Sequence, residues 1–203
     1  LSLRRQRQMC IRDRIITDET ERLNQIVTKI LTPPTKTSLE LFNIHSALEK
    51  VFALTEADEN TSLRIYRDYD PSIPELNGDE NLFIQAVLNI VKNAQQALAE
   101  TQDAKIVIKS RIRYGQPING VVHSTLCVID IIDNGPGIPE DIHDQVFFPM
   151  VSSKEEGSGL GLSISQDIIR VHGGSIDFTS DHTGTVFSIL MPLKLEDIQA
   201  QSA

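Results

Sequence analysis

The sequence of 203 residues has a formal net charge of −9, and hydrophobic residues make up 40% of it, enough to build a folded core. No run of about 18 apolar residues is present, so the composition predicts no transmembrane segment. The two cysteines, Cys10 and Cys127, lie in unlike contexts without metal-binding or CxxC spacing. This pattern indicates a reducing compartment, and we expect a cytoplasmic protein.

The charge is unevenly distributed along the chain. Residues 1–14 carry a net charge of +4, which leaves −13 for the other 189 residues of the −9 total. A body this acidic argues against nucleic-acid binding. The basic segment can be a functional arm. We favour a different origin, because Met9–Asp13 can be encoded by ATG TGT ATA AGA GAC, which resembles a transposon-type sequencing adapter. We therefore treat residues 1–14 as non-native.

The rest of the chain alternates helical and strand patterns. Apolar residues at helical spacing predict a helix over 15–31, which ends at Pro33 and Pro34 in a linker over 32–38. We expect one domain over 39–194, with Asn43 as a helix N-cap, and a frayed tail over 195–203. The elements predicted within the domain are helix 44–57, strand 62–69, helix 79–99, strand 105–113, a loop at 115–120, strand 124–132, a short helix 140–147, helix 163–171 and strands 174–179 and 185–191. This order predicts an α+β fold with helices on one face of a mostly antiparallel sheet.

The helix over 79–99 has an apolar face and a polar face. The apolar residues are Phe83, Val87, Ile90, Val91, Ala94 and Leu98, and the polar ones are Gln85, Asn89, Asn93 and Gln96. Asn89 and Asn93 are neighbours at spacing i,i+4. A solvated polar face explains this pair. A hard-cation site also explains it, because amide oxygens are uncharged ligands suited to Mg²⁺ that phosphates and water already hold.

Two glycine-rich segments follow. The segment DNGPGIP at 133–139 ends an apolar strand. It can be an ordinary turn, but the Asp133 carboxylate could accept a hydrogen bond from the adenine amine, and Gly135 and Gly137 would leave room for a flat base. The second segment, GSGLGL at 157–162, precedes a helix and can be a flexible linker or a phosphate-binding loop. Residues 149–160 suit a lid in which Lys154 could meet the γ-phosphate or could be an ordinary exposed lysine.

Four motifs together resemble those of one ATPase superfamily. Asn89 to Ala94, DNGPGIP at 133–139, Phe147-Phe148-Pro149 and GSGLGL at 157–162 resemble the N, G1, F and G2 boxes of the GHKL ATPases, which include gyrase, Hsp90, MutL and histidine kinases. The short F box and GLGLSI favour the histidine-kinase branch. Stretches such as LNIVKNAQQAL resemble bacterial nitrogen-regulation sensor kinases. The resemblance implies a Bergerat fold, a two-layer α/β sandwich that binds ATP beneath a mobile lid.

The resemblance also implies roles for individual residues, with ATP and Mg²⁺ as ligands. Asn93 would hold Mg²⁺, and Asn89 would support the ion or contact phosphate. Asp133 would bond the adenine amine. Gly135 and Gly137 would lie beside the base. Gly157, Gly159 and Gly161 would wrap the phosphates, and Thr185 would reach adenine through water. A kinase of this kind would transfer the γ-phosphoryl of ATP to a histidine and then to an aspartate of a response-regulator receiver domain.

The phospho-accepting histidine of this family is not recognisable in the sequence. Of the five histidines only His143 is followed by an acid, and the residues after it do not complete the expected box. The helix over 15–31 resembles a truncated second dimerisation helix, so the expected partners include the protein's own phosphoacceptor domain in a homodimer and a PII-type signal protein. Another GHKL ATPase branch and a non-catalytic nucleotide-sensing module are the alternatives.

Overall fold

Two sheets and three α-helices make up the part of the chain that the computed structural model describes, residues 39–56, 63–118, 120–151 and 159–193. The strands are β1 (Glu40–Phe42), β2 (Arg64–Asp68), β3 (Leu76–Gly78), β4 (Lys105–Ile118), β5 (Val121–Asp133), β6 (Ser175–Asp181) and β7 (Gly184–Pro192). The helices are α1 (Ile44–Glu56), α2 (Glu80–Ala97) and α3 (Gly161–Val171), and a 3-10 helix spans Glu140–Gln145.

The main sheet has five strands in the order β2-β4-β5-β7-β6. β2 runs parallel to β4, and the other neighbours pair antiparallel. β1 and β3 form a separate antiparallel pair. The expected α+β class with a mostly antiparallel sheet is confirmed. The register matters for function, because it sets Asp133 at the end of β5 directly opposite Thr185 near the start of β7.

The core lies between one face of the main sheet and the helices. Alternate residues of β5, Cys127, Ile129 and Ile131, are fully buried and belong to the same cluster as the apolar face of α2. The six apolar residues predicted for that face are all buried, with exposures of 0–4%. Burying each large side chain contributes roughly 1.5–3 kcal/mol. The polar face of α2 is therefore left on the side where ligand can approach.

Side-chain caps fix where α1 and α2 begin. Asn43 Oδ1 accepts the backbone N–H groups of His45 and Ser46 at 2.9 and 3.1 Å, as the sequence predicted. Asp79 Oδ1 accepts those of Asn81 and Leu82 at 3.0 and 3.1 Å. Caps of this kind each stabilise a helix by about 1 kcal/mol. The two caps therefore mark where α1 and α2 begin.

The loop predicted at 115–120 is wrong, because β4 continues to Ile118 and pairs with β5 up to Val121. Proline normally interrupts a ladder, yet Pro117 pairs with Val122. β2 pairs with β4 only as far as Lys109, so Pro117 lies in a part of β4 with one open edge, where the missing N–H is tolerated. The sequence analysis also missed β1 and β3, since three-residue strands carry no measurable periodicity.

Several predictions lie outside the described residues: the non-native segment 1–14, the helix over 15–31, the linker over 32–38 and the tail over 195–203. None of the described helices is long and apolar enough to span a membrane.

Candidate functional site

One face of α2 connects the two glycine-rich segments. Asn89, Asn93 and Ala97 follow each other at intervals of four residues, so they line one side of the helix. At one end Asn89 Nδ2 donates to the Gly161 carbonyl at 3.2 Å. At the other end a Cβ built on Gly135 would lie 3.6 Å from the Ala97 Cβ. Eight residues of helix rise by about 12 Å, so an elongated ligand can contact both segments along this face.

Two buried polar side chains mark the end near Gly135. Asp133 is 6% exposed, and its Oδ1 accepts the Gly135 N–H at 2.9 Å. Thr185, opposite it on β7, is 4% exposed. A Cβ on Gly135 would approach Asp133 Oδ1 to 2.9 Å, so a larger residue here would crowd the carboxylate. This end combines a carboxylate, a hydroxyl and a backbone free of side chains, which are the groups that an aminated aromatic base requires.

A hydroxyl network holds the loop after β5. Gly137 has φ +82°, and a Cβ there would collide with the Asp181 carbonyl, so the loop lies directly against β6. The next residue, Ile138, donates its N–H to Ser180 Oγ at 2.8 Å. Ser180 Oγ lies 2.9 Å from Thr185 Oγ1. The sequence analysis missed Ser180, and only the cross-strand register of Ser180 with Thr185 identifies it.

Asn134 anchors the same loop on its other side. Its Oδ1 accepts the Lys105 N–H at 2.8 Å, and its Nδ2 donates to the Asp103 carbonyl at 3.2 Å. Each amide atom thus meets the partner type that it requires. The bonds fasten the residue after Asp133 to the beginning of β4. The sequence analysis gave Asn134 no role.

The opposite end of the site is the start of α3. The N-cap residue Leu160 makes no side-chain cap, in contrast to the caps of α1 and α2. Leu160 therefore offers the first N–H groups of α3 no side-chain acceptor, and N–H groups at a helix start favour an anion. Ser165 Oγ lies 2.9 Å from the Gly161 carbonyl and 3.1 Å from the Ala86 carbonyl, which joins α3 to α2. The start of α3 is thereby held beside Asn89.

The segment before α3 returns close to Met150. Gly159 has φ +62°, and a Cβ there would lie 2.6 Å from the Met150 carbonyl carbon. Met150 donates its N–H to the Gly159 carbonyl at 3.0 Å. Met150 itself is 66% exposed, as is Phe148 at 60%, whereas Phe147 packs against Phe178 with ring centroids 5.9 Å apart. Of the two phenylalanines in the predicted F box, Phe147 therefore packs against the sheet and Phe148 is exposed.

The structure groups most of the predicted site residues. Asn89 meets Gly161 at one end, and Asp133, Gly135, Gly137 and Thr185 gather at the other. The half-buried Asn93 lies between them on α2, Gly159 lies next to Met150, and Lys154 and Gly157 are outside the described residues. Cys127 is separate from this chemistry, since burial raises the pKa of its thiol to about 12.

The chain matches a protein family over a range of residues that contains the whole candidate site. The family described as "Histidine kinase-, DNA gyrase B-, and HSP90-like ATPase" matches residues 78–195, more than half of the chain. The chain belongs to this ATPase family. The superfamily resemblance based on the four motifs is confirmed. Membership of this ATPase family implies ATP binding, and the matched range contains both ends of the site.

Curated members of this ATPase family are similar over most of the chain. The chain is 44% identical over 181 residues to the sensory histidine kinase/phosphatase NtrB of Vibrio alginolyticus. The aligned region covers 88% of this chain and 51% of the relative. The chain is 38% identical over 181 residues to NtrB of Escherichia coli O157:H7, with 89% and 52% covered. The chain therefore spans about half the length of the curated relatives it matches.

Solved structures in the same ATPase family share the fold. The nucleotide-free catalytic domain of histidine kinase ThkA matches with a TM-score of 0.64 at 27% identity, covering 76% of this chain and 95% of that domain. ThkA in complex with response regulator protein TrrA matches with a TM-score of 0.65 at 27% identity, covering 90% of this chain and 50% of that one.

Proposed function

We propose that this chain is the ATP-binding catalytic domain of a sensor histidine kinase of the nitrogen-regulation type. The observation that carries the proposal is the α2 face, which contacts Gly161 through Asn89 and approaches Gly135 through Ala97. The similarity to NtrB kinases over 88% of the chain supports the branch and the regulatory role. The proposal extends to a cytoplasmic location.

In this proposal the adenine lies at the Asp133 end. The exocyclic amine of adenine donates to the carboxylate of Asp133, and Thr185 contacts the base directly or through water. Gly135 and Gly137 allow the ring to approach the backbone. The burial of Asp133 and Thr185 strengthens these bonds, because a hydrogen bond with little competing water is electrostatically stronger.

The triphosphate lies along α2 toward α3. The first N–H groups of α3, to which Leu160 gives no side-chain cap, would bind phosphate oxygens. Gly157, Gly159 and Gly161 would wrap the phosphates, and Lys154 would meet the γ-phosphate. The Gly161 carbonyl can only accept, so Asn89 must present Nδ2 to it, which leaves Oδ1 for a cation.

The residues of α2 also fit a magnesium ion. Asn93 and Asn89 carry amide oxygens, uncharged ligands that would hold Mg²⁺ together with phosphate oxygens. Bound Mg²⁺ would neutralise charge on the triphosphate. The protein residues then act mainly by positioning the γ-phosphoryl for transfer.

The phosphoryl acceptor in this proposal is a histidine of the kinase's own dimerisation domain, and the next acceptor is a receiver-domain aspartate of a response regulator. Asn89 and Asn93 of α2 are neutral amides, and a neutral amide activates water poorly. These residues therefore favour transfer to a protein group over hydrolysis. A homodimeric kinase and a PII-type regulator belong to the same proposal.

Substitution of the base-binding carboxylate tests the nucleotide site. Asp133→Asn replaces an acceptor with an amide that still fills the same volume. We expect ATP affinity with Mg²⁺ to fall by about tenfold or more, because a hydrogen bond to a charged group contributes about 1.5–3 kcal/mol. Isothermal titration calorimetry measures the affinity. Asp177→Asn, on the exposed side of β6, is the matched control and should leave it unchanged. Equal affinities for wild type and Asp133→Asn would contradict the assignment.

Phosphoryl transfer needs a second experiment. We expect the chain alone, incubated with γ-labelled ATP and Mg²⁺, to bind nucleotide without acquiring acid-labile label. Addition of a histidine-containing dimerisation domain from an NtrB kinase should yield a labelled acceptor. Acid-labile label on the chain alone would contradict the expectation that this chain carries no phospho-accepting histidine. Steady ATP hydrolysis without a histidine partner would favour another branch of the ATPase family.

A further inference from the structure

Ser180 lies at the centre of a hydrogen-bond network beside the proposed adenine position. Its Oγ accepts the Ile138 N–H at 2.8 Å and lies 2.9 Å from Thr185 Oγ1. Ser180 and Thr185 are a registered pair of β6 and β7, and Thr185 faces Asp133 across β7 and β5. The network therefore connects the loop after β5 with the threonine hydroxyl.

The proton of Ser180 has two possible acceptors. A serine hydroxyl carries one proton and two lone pairs, and the Ile138 N–H already occupies one lone pair. Thr185 Oγ1 lies at 2.9 Å and the Gly184 carbonyl at 3.4 Å. Hydroxyl–oxygen bonds are usually about 2.5–3.0 Å long, so Thr185 Oγ1 is the better placed of the two acceptors, although the 2.9 Å distance also fits donation by Thr185 to Ser180. When Ser180 donates, Thr185 keeps its own proton to donate elsewhere.

We infer that Ser180 is a positioning residue that presents Thr185 as a hydrogen-bond donor to the purine base. The inference rests on the proposed function, and it concerns which base the site selects. Adenine offers an amine to Asp133 and ring nitrogens that accept a proton from Thr185, directly or through water. Hypoxanthine has a carbonyl and an N–H in the corresponding places. A donating Thr185 next to an accepting Asp133 therefore selects adenine.

A double-substitution cycle tests whether Ser180 acts through Thr185. Calorimetry with ATP and Mg²⁺ is performed on the 203-residue chain and on Ser180→Ala, Thr185→Val and the double variant. We expect Ser180→Ala to weaken ATP binding about fivefold, since a net hydrogen bond is worth about 1 kcal/mol. The double variant should bind no more weakly than Thr185→Val alone. Fully additive losses would overturn the inference.

Base discrimination provides a readout that a merely structural serine would not change. We expect the ratio of inosine triphosphate to ATP dissociation constants to fall about fivefold in Ser180→Ala and to recover in Ser180→Thr, which keeps the hydroxyl. Ser188→Ala is the matched control. It also removes a hydroxyl bond, the one from Ser188 Oγ to Asp130 Oδ1 at 2.6 Å, but on the sheet face away from the loop, so the ratio should not change.

The outcomes separate this inference from the proposed function. Absence of ATP binding by the unsubstituted chain would refute the function itself. ATP binding with an unchanged base ratio in Ser180→Ala would refute only the role of Ser180. If Ser180→Ala does not fold, Ser180→Cys keeps a similar shape with a weaker donor and should lower the ratio in the same direction.

Discussion

Two glycines with nearly the same backbone angle differ in what surrounds them. Gly137 has φ +82° and Gly120 has φ +81°, a region that residues with a Cβ rarely adopt. A Cβ on Gly137 would collide with the Asp181 carbonyl, whereas a Cβ on Gly120 would meet nothing within 4 Å. The pair therefore separates the cost of the backbone angle from the cost of close packing.

Alanine substitution at both positions measures the packing of the site loop. We expect Gly120→Ala to lower the free energy of unfolding by about 1 kcal/mol, from the backbone angle alone. Gly137→Ala should cost about 2–5 kcal/mol, because the loop must also move away from β6. Urea denaturation measures both values. Equal losses at the two positions would mean that the loop after β5 does not lie against Asp181.

At the residue level, the sequence predicted those site residues whose type is unusual at their position in a strand or helix. An aspartate at the end of an apolar strand followed by glycines, and paired asparagines on a helix, marked the candidate site, and the four motifs together decided between a ligand site and an ordinary turn or solvated face. Ser180 gave no such signal, because serine is common in strands near turns and its role depends on the strand register with Thr185. Asn134 was missed for the same reason, since its partners are backbone groups about 30 residues away.

At the level of elements, His172 connects the end of α3 with the start of α2. Its Nε2 accepts the Asp79 N–H at 2.9 Å, so Nδ1 carries the ring proton and donates to the Ile168 carbonyl at 2.7 Å. The ring packs against Gly78, where any Cβ would collide with it. The buried imidazole thus fixes the capped beginning of α2 against α3, the two helices that form the proposed phosphate end.

Removal of this imidazole should loosen the helix pair. We expect His172→Ala to reduce the free energy of unfolding by about 2–4 kcal/mol, because it leaves the Asp79 N–H without its acceptor and opens a cavity. His182→Ala, at an exposed position, should change it by less than about 0.5 kcal/mol. Thermal and urea unfolding of both variants provide the comparison. Similar stabilities of the two variants would exclude a connecting role for His172.

Element types were predictable because apolar residues recur at different spacings in strands and in helices, and the predicted cap Asn43 marked the start of α1. Element ends were less predictable. Glycine and proline at 115–118 indicated a loop, yet β4 extends to Ile118 because its outer edge is open beyond Lys109. Strand pairing, which no local pattern records, decided that case.

At the scale of the whole molecule, the α+β class followed from the order of elements, since each amphipathic face requires a partner layer. The sequence could not show how distant elements are fastened together. One such connection joins α1 to the main sheet. His45 on α1 stacks on Tyr69 with ring centroids 5.0 Å apart, and its Nε2 lies 3.0 Å from Ser110 Oγ on β4.

This connection makes the stability of the whole domain depend on pH. Burial lowers the pKa of His45 below its ordinary value of 6.5, although Asp70 and Glu49 partly oppose the shift. The unfolded chain therefore takes up the proton first. Stability should fall as the pH drops below about 6.5 and should stop falling from this cause once the pH passes the lowered folded-state pKa.

Replacement of the titrating ring tests this dependence. His45→Gln keeps a group that can bond Ser110 but cannot titrate, so its melting temperature should fall less than that of the unsubstituted chain between pH 7.5 and 5.5. His182→Ala serves as the control for an exposed histidine and should keep the unsubstituted pH dependence. The absolute stability of His45→Gln is not diagnostic, because loss of the stacking on Tyr69 lowers it at every pH. Parallel pH profiles for His45→Gln and the unsubstituted chain would show that the His45 proton does not couple to folding.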